Sequence, residues 1–359
     1  MKDQVRVGII GSRFISTIHA ESLRRCASAE IVAVASPTAA HVEAFARRWG
    51  IPRHYTDYRA LLDLGDLDLV VVGVPNDLHC QIAVEAAGAG KHVVIEKPLC
   101  LNLAEADRMI AACRQARVKL MYAEELCFAP KYVRLKQLLD SGALGSPTLV
   151  KQSEKHDGPH APHFWDVDRA GGGVTMDMGC HAIAFFRWML GRPEIKSVYA
   201  QMTTLVHGAR TRGDDNAILI VEFENGVIGV AEESWTKPGG MDDRAEVHGS
   251  DGVAYADLLH GNAIETYSRR GYDYAVEKGG STQGWSFTMY EEAWNYGFHQ
   301  EMEHFVDCVR SDRQPLVTGE DGRAVLEALF AAYESAGTGR KVALPFPSQA
   351  ARPFDLWRR

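Results

Sequence analysis

A lysine and a distant aspartate and histidine are the residues of this chain best suited to acid/base chemistry. Lys97 directly follows Glu96 and a short apolar run, and Asp177 and His181 stand four residues apart behind three consecutive glycines. Removing hydride from a secondary alcohol requires a group that takes the hydroxyl proton, and a base with a pKa near the working pH does this best. The three side chains are therefore candidate catalytic residues for the interconversion of alcohol and ketone.

The division of roles among these residues has more than one solution. The ordinary pKa of imidazole is about 6.5, and a carboxylate one helical turn away can orient or charge the ring. We favour His181 as the base and Lys97 as its electrostatic partner, although a buried lysine can also act as base. The competing structural interpretations are a helix cap for Asp177, a buried histidine at 181 and a solvated lysine at 97.

The first apolar segment leads into a loop with part of a dinucleotide-binding fingerprint. Its three glycines allow a tight turn, a close approach to pyrophosphate and close helix packing. Here Gly11 occupies the first of these places, and Arg13 and Ser16 occupy the other two. Backbone amides at the helix start could still bind phosphate, with Arg13 adding charge. The candidate cofactor-binding residues in this loop are Gly11, Ser12, Arg13, Phe14 and Ile15, and an ordinary strand-to-helix turn is the alternative.

Other cofactor contacts are expected where later strands end. A carboxylate at the end of the second strand would bind the adenosine ribose of NAD, but the sequence has Ser36 there and no arginine directly after it. The choice between NAD and NADP stays open, with a preference for NAD. The remaining candidates follow the strand ends that face ligands in open α/β sheets: Pro75, Asn76, His79, Glu96 and Lys97.

Composition excludes several classes of protein. The formal net charge is -8, whereas a nucleic-acid binder usually carries a positive surface. No apolar stretch is long enough to cross a membrane. There is no signal-peptide pattern at the start. The seven cysteines are dispersed and never form Cys-x-x-Cys, which favours a reduced, cytoplasmic setting with buried thiols.

The hydrophobic pattern predicts two domains and a tail. Short apolar runs alternate with helix-length segments up to about residue 122, which predicts a doubly wound parallel sheet of the Rossmann type in residues 1–122. Alternating runs then predict an α+β domain with a large, mostly antiparallel open sheet in residues 123–345, followed by a C-terminal tail, 346–359. We expect one helix over 290–310 and a mobile loop at 279–284. An apolar sheet face with aromatic residues 285–298 nearby favours a homodimer or homotetramer.

A polar and aromatic segment, residues 154–166, is a candidate substrate wall. His156 and His163 could bond hydroxyl groups, and Trp165 could stack on a sugar ring. Three histidines within eight positions also suggest a metal site, but a Gly- and Pro-containing loop fixes no ligand spacing, and we expect no metal. A solvated loop without function is the other alternative.

Taken in order, these motifs resemble the glucose–fructose oxidoreductase and inositol dehydrogenase (Gfo/Idh/MocA) family. The similarity runs through the Gly11 loop, residues 74–79, 96–98, 171–181 and 319–336. It implies a Rossmann domain, a second domain with an open sheet, and NAD(P)-linked oxidation or reduction of a sugar or cyclic polyol. It also implies that Lys97 contacts the substrate hydroxyl and the nicotinamide ribose, that Asp177 and His181 flank the reacting carbon, and that Glu125 lies near the substrate.

The leading hypothesis is a dehydrogenase that acts on a sugar, glycoside or inositol-like polyol. One alternative uses the same site for redox-neutral glycoside cleavage through transient oxidation by bound NAD. A second alternative is a nucleotide sensor without catalysis, which the incomplete glycine pattern permits.

Overall fold

The computed structural model describes residues 4–259, 263–270, 281, 283–289 and 291–358. The chain divides into two compact units, one formed by Met1–Glu125 with Gly297–Leu326 and the other by Leu126–Tyr296 with Glu327–Arg359. This division differs from the predicted one because residues 297–326 return to the first unit. The predicted mobile loop at 279–284 lies largely outside the described residues, as do Tyr290 and the side chain of Trp285.

The first unit contains a six-stranded parallel sheet in the order β3-β2-β1-β4-β5-β6, the strand order of a dinucleotide-binding fold. Its central strands are Val-, Ile- and Leu-rich and fully buried, as expected for strands covered on both faces. The elements are β1 (Val5–Ile10), α1 (Phe14–Arg25), β2 (Ala29–Ala35), α2 (Ala39–Trp49), β3 (Arg53–Tyr55), α3 (Tyr58–Leu62), β4 (Leu69–Val72), α4 (His79–Gly88), β5 (His92–Ile95), α5 (Leu103–Ala116) and β6 (Leu120–Tyr122).

Local sequence sets the ends of these helices. Thr38 precedes α2, and Gly50 ends it in the left-handed conformation that glycine adopts at low cost, with φ of 65°. The Asn102 side chain accepts the Glu105 backbone N–H and caps α5. Both helices lie in helix-length segments between apolar runs, the pattern from which the doubly wound sheet was predicted.

The second unit is built on a seven-stranded mixed sheet in the order β12-β11-β7-β10-β9-β8-β15. Only the β7 and β10 pair is parallel among its neighbours, which confirms the predicted mostly antiparallel sheet. The elements are α6 (Pro130–Asp140), β7 (Pro147–Lys155), α7 (Val167–Ala170), α8 (Val174–Asp177), α9 (Gly179–Met189), β8 (Ile195–Thr203), β9 (Asn216–Phe223), β10 (Ile228–Ser234), β11 (Asp242–Gly249), β12 (Val253–Asp257), β13 (Ala263–Ser268), β14 (Gly284–Met289), α10 (Glu292–Asn295), α11 (Phe298–Arg310), α12 (Gly319–Thr338) and β15 (Val342–Ala343).

Helices cover one face of this sheet, and the opposite face carries exposed side chains in the part of the chain that the structure describes. Helices α6, α8 and α9 contact β7, β9, β10, β11 and β12, and the Phe186 ring lies against Gly229. The opposite face exposes Ile218, Ile220 and Tyr255 beside ion pairs such as that of Lys155 and Glu232. This is the apolar face from which subunit contacts were predicted.

The prediction of one helix over residues 290–310 was wrong. Gly297 has a φ of 92°, which no right-handed helix accommodates, and it separates α10 from α11. Helix α11 belongs to the first unit, where it contacts α1 and places His299 Nδ1 2.7 Å from Ser22 Oγ. The helical conformation is therefore interrupted at Gly297, which is also the residue at which the chain returns to the first unit.

The predicted C-terminal tail is an integral part of the second unit. The Phe354 backbone N–H donates to the Gly171 carbonyl at 3.0 Å, and the Phe354 and Leu356 side chains are buried. Arg352 forms ion pairs with Asp168 and Asp355. The segment therefore covers the turn that precedes α8.

Two further observations concern the whole described chain. None of its described helices is both long and apolar enough to cross a membrane. All seven cysteines are buried free thiols, as predicted from their spacing.

Candidate active site

The structure divides the predicted site residues between the two units. Lys97 and the predicted cofactor-binding residues lie in the first unit, together with Glu125, which is buried at the start of a short 3₁₀ turn. The second unit contains His156, His163, Trp165, Asp177 and His181.

Gly11 makes the closest backbone approach of the nucleotide loop. Its φ is 121°, and a Cβ at this position would collide with the Gly73 carbonyl oxygen at the end of β4. Ser16, at the third fingerprint position, fits because residue 73 is also a glycine: a Cβ there would lie 3.0 Å from Ser16 Oγ. The close approach of helix and strand is therefore kept, with the small residue on the strand.

The start of α1 offers an anion-binding surface. Arg13 is the exposed residue before the helix, with extended backbone, and Phe14 and Ile15 are the first helical residues. The first N–H groups of a 12-residue helix have no acceptor within the helix and attract phosphate. Beside them, Ser12 Oγ donates to Ser36 Oγ at 2.8 Å, which joins the loop to the end of β2.

Glu96 supports Lys97 from within the first unit. Its carboxylate contacts His19 Nε2 at 2.6 Å and accepts the Lys97 backbone N–H at 3.0 Å. Burial works to raise the pKa of this carboxyl, but the bond to His19 and nearby positive charge, including Lys97, outweigh it and hold the pKa below its usual value. Glu96 is thus a charged residue that orders the backbone at Lys97.

His79 joins two loops at the same edge of the sheet. Its Nε2 lies 2.9 Å from the Val74 carbonyl, and its Nδ1 lies 3.1 Å from the Pro98 carbonyl. Burial lowers the pKa of this imidazole. Asn76 is buried in the 3₁₀ turn that follows Pro75. We therefore expect His79 to position the loops, rather than to meet a ligand with a free ring nitrogen.

Trp235 holds the candidate catalytic carboxylate in the second unit. Its indole N–H donates to Asp177 Oδ2 at 3.1 Å, and Trp235 and Asp177 are both buried. Asp177 ends α8, and Met178 separates it from α9, whose first turn carries the buried His181. The predicted spacing of four thus spans a break between two helices instead of one regular turn.

The three glycines before α8 allow the backbone to close around Asp214. This buried carboxylate accepts the N–H groups of Gly173 and Thr175 at 3.0 and 2.8 Å and the Tyr333 hydroxyl at 2.6 Å. A Cβ on Gly172 would strike Tyr333, and one on Gly173 would strike Asp214. Burial raises the pKa of Asp214, although the bonds from Thr175 and Tyr333 limit the rise. The cluster fixes the start of the helix that carries Asp177.

The segment with the predicted substrate-binding aromatics is held by side chains of the same unit. The Arg210 guanidinium lies 3.9 Å from the Trp165 ring centroid, and the Trp165 ring meets Trp235 edge-on at 5.4 Å. His156 is buried, with Nδ1 2.7 Å from the Gly158 carbonyl, and the His163 ring contacts Phe164. Arg210 covers one face of Trp165, so a sugar ring could stack only on the other.

Gly73, Asp214 and Trp235 were absent from the sequence prediction. Each acts through a partner far along the chain: 57 residues separate Gly73 from Ser16, and 58 separate Trp235 from Asp177. The adjacent Gly172 and Gly173 signalled a crowded backbone, but nothing in their spacing pointed to Asp214. These contacts follow from the tertiary fold alone.

Comparison with known proteins gives matches along most of the chain. Residues 5–124 match the family described as "Oxidoreductase family, NAD-binding Rossmann fold", and residues 132–255 match "GFO/IDH/MocA C-terminal domain". The myo-inositol 2-dehydrogenase of Thermotoga maritima is 30% identical over 342 residues, covering 95% of this chain and 98% of that protein. The D-xylose 1-dehydrogenase (NADP(+)) 2 of Haloferax volcanii is 31% identical over 340 residues, 94% and 99% of the two chains. GenD2 from gentamicin A biosynthesis, solved in complex with NAD, has a TM-score of 0.91 and 33% identity over 96% of this chain and 98% of its own.

Proposed function

The chain belongs to the GFO/IDH/MocA family of NAD-binding oxidoreductases, and we propose that it transfers a hydride between a nicotinamide cofactor and a secondary alcohol or ketone of a sugar, glycoside or inositol-like polyol. The observation that carries the proposal is the buried Asp177 carboxylate, held by Trp235 just before the helix that carries His181. The relatives named as myo-inositol and D-xylose dehydrogenases support the substrate class.

The first unit has the features that a dinucleotide needs. The positive φ of Gly11 lets the loop approach Gly73 closely before α1 begins, and N–H groups at a helix start, which have no acceptor within the helix, suit a pyrophosphate. Arg13 would add charge, and Ser12 with Ser36 would meet the adenosine ribose. When bound, the nicotinamide supplies the hydride chemistry.

The side chains of this protein then have two tasks: to transfer the hydroxyl proton of the substrate and to polarise its reacting oxygen. We assign proton transfer to His181, oriented by Asp177, and assign to the Lys97 ammonium the polarisation of the reacting oxygen. Trp235 keeps the Asp177 carboxylate in place through its N–H. His156, His163, Trp165 and Glu125 are proposed to bind the hydroxyl groups of the substrate.

Turnover with a substrate panel tests the proposal. Purified protein should reduce NAD or NADP, followed at 340 nm, with at least one member of a panel of inositols, pentoses, hexoses and glycosides. The reaction should yield one ketone or lactone per reduced nicotinamide. Cleavage of a glycoside without net reduction, or cofactor binding without turnover of any member, would contradict it.

Ser36 gives a separate prediction on cofactor choice. In the Ser36→Asp variant a carboxylate would face the adenosine ribose. It can accept a hydrogen bond from a ribose hydroxyl group of NAD, but its charge repels the 2′-phosphate of NADP. We expect kcat/KM for NADP to fall about 100-fold, while the value for NAD changes less than about fivefold. Steady-state kinetics with both cofactors measures this.

The matched control is Ser36→Asn, which has the shape of the aspartate without its charge. We expect it to shift the NAD to NADP ratio by less than about fivefold. Equal shifts in the two variants would show that size, and not charge, acts at this position, and would contradict the placement of Ser36 beside the ribose.

A further inference from the structure

Three carboxylates lie side by side beneath the helices of the second unit. In the strand register, Glu154 of β7 is the direct neighbour of Glu233 of β10 on one side and of Asp243 of β11 on the other. All three side chains are buried. Neighbouring residues of paired strands point to the same face, so the three form one row across the sheet. We refer to Glu154, Glu233 and Asp243 as the carboxylate row.

The groups around this row leave acceptor atoms unmatched. Tyr132 donates its hydroxyl to Asp243 Oδ1, and the Gln152 amide approaches the same oxygen at 3.5 Å. Among the described residues, no side chain bonds either Glu233 oxygen, which only the Glu154 backbone approaches, and Asp243 Oδ2 and the Gln152 amide oxygen have no hydrogen-bond partner, although Glu233 is only 2% exposed and Gln152 1%. Gln152 is uncharged, so the surplus of acceptors does not come from the carboxylates alone.

Burial makes the ionised form of these carboxyl groups costly unless a proton or a cation neutralises them. Burial and then the negative charge of Asp243 raise the pKa of Glu233 well above its usual value, and burial raises the pKa of Asp243 to about 7 despite its bonds from Tyr132 and Gln152. Lys155, whose charge reaches Glu233, points to the opposite face of the sheet and pairs with Glu232. An alkylammonium group has three donors and no acceptor, which matches the unmatched oxygens in charge and in hydrogen-bonding type.

The row is linked along the chain to the group that holds the candidate catalytic carboxylate. Glu233 lies near the end of β10, and Trp235 follows two residues later in the bend after that strand. The Trp235 indole reaches Asp177 from there. A residue two positions from the row thus contacts Asp177, which makes one molecule that reaches both the natural candidate for a cation held by the row.

We propose that the substrate of this dehydrogenase carries an ammonium group, as in an amino sugar or aminocyclitol, and that Glu233 and Asp243, with Glu154 and the Gln152 amide oxygen, bind it. This inference rests on the proposed function and narrows its substrate class. The hydride still leaves from a carbon that bears a hydroxyl group, so the amine takes no part in the redox step.

Matched substrate pairs test the inference. The kcat/KM of the wild-type protein should be compared for D-glucosamine and D-glucose, for 3-amino-3-deoxy-D-glucose and D-glucose, and for scyllo-inosamine and scyllo-inositol. We expect the best aminated compound to exceed its neutral partner by about 30- to 1000-fold, the range for a buried charge pair. In Glu233→Gln the ratio should fall below about five. In Glu232→Gln, which changes the exposed neighbour on the opposite face, the ratio should stay at the wild-type value.

The possible outcomes separate the two proposals. If neutral and aminated partners react equally in the wild type, or if Glu233→Gln keeps the preference with an unchanged melting temperature, the ammonium site is wrong while the dehydrogenase stands. If KCl or NH4Cl accelerates a neutral substrate and Glu233→Gln abolishes this, the row binds a free cation, which also overturns the inference. If nothing is oxidised, the proposed function itself fails, and calorimetry of the NAD-loaded protein with each pair decides on the ammonium site by whether only aminated members bind.

Discussion

The His181→Ala variant is expected to lose about 10²- to 10⁴-fold in kcat with the best substrate of the panel, because it removes the group that takes the proton as the carbonyl forms. His181 is buried in the first turn of α9, directly after the segment that carries Asp177. An interaction made only in the transition state lowers kcat and leaves KM nearly constant, so KM should change less than about fivefold. Stopped-flow and steady-state kinetics at saturating cofactor measure both constants.

The matched control for this variant is His41→Ala, which removes an exposed histidine of α2. Its kcat should equal that of the wild type. Lys97→Ala is expected to fall in the same range as His181→Ala, since loss of an electrostatic partner in a water-poor site costs about 10²- to 10³-fold. If His181→Ala retains more than half of the wild-type kcat while Lys97→Ala is inactive, lysine is the base and our assignment of roles is reversed.

The Asp214→Ala variant should have the largest effect on stability. It leaves the buried Thr175 N–H and Tyr333 hydroxyl without their acceptor, and the Gly173 N–H keeps only its bond to the Tyr333 oxygen at 2.9 Å. Each orphaned buried donor costs roughly 1–3 kcal/mol, so we expect the free energy of unfolding to fall by about 3–5 kcal/mol. Activity of the remaining folded protein should also drop, because the start of α8 positions Asp177. Urea unfolding followed by circular dichroism gives the first quantity.

Two comparisons make the Asp214 result specific. Tyr333→Phe removes one donor and keeps the carboxylate, so it should cost about 1–2 kcal/mol. Asp168→Ala removes an exposed carboxylate that pairs with Arg212 and Arg352, and should cost no more than about 1 kcal/mol. If Asp214→Ala is as stable as Asp168→Ala, the buried cluster does not hold the turn together.

Local patterns in the sequence were sufficient for most of the fold. The Val- and Ile-rich runs located the parallel strands, and the caps at Gly50 and Asn102 fix helix ends because capping depends on neighbouring residues. The membership of residues 297–326 in the first unit depends on contacts of α11 with α1, which lie almost three hundred residues apart. Periodicity within a window carries no information on such a contact.

Sequence patterns were enough to name candidate site residues but not to give their geometry. Spacing singled out the Asp177 and His181 pair as a prediction, but the break at Met178 and the bond from Trp235 were not predicted, because both depend on how α8 meets the sheet. The carboxylate row was equally hidden. Its members alternate with ordinary strand residues, and only the register of β7, β10 and β11 brings Glu154, Glu233 and Asp243 together.

The contact between Ser16 and Gly73 has an evolutionary meaning. The side chains at positions 16 and 73 share one small space, so the fold limits their combined size and not the size of either one alone. A lineage could therefore exchange the helix glycine for serine once the strand had a glycine, without passing through a protein that could not bind its cofactor. An incomplete fingerprint in the sequence is therefore compatible with an intact close contact between helix and strand.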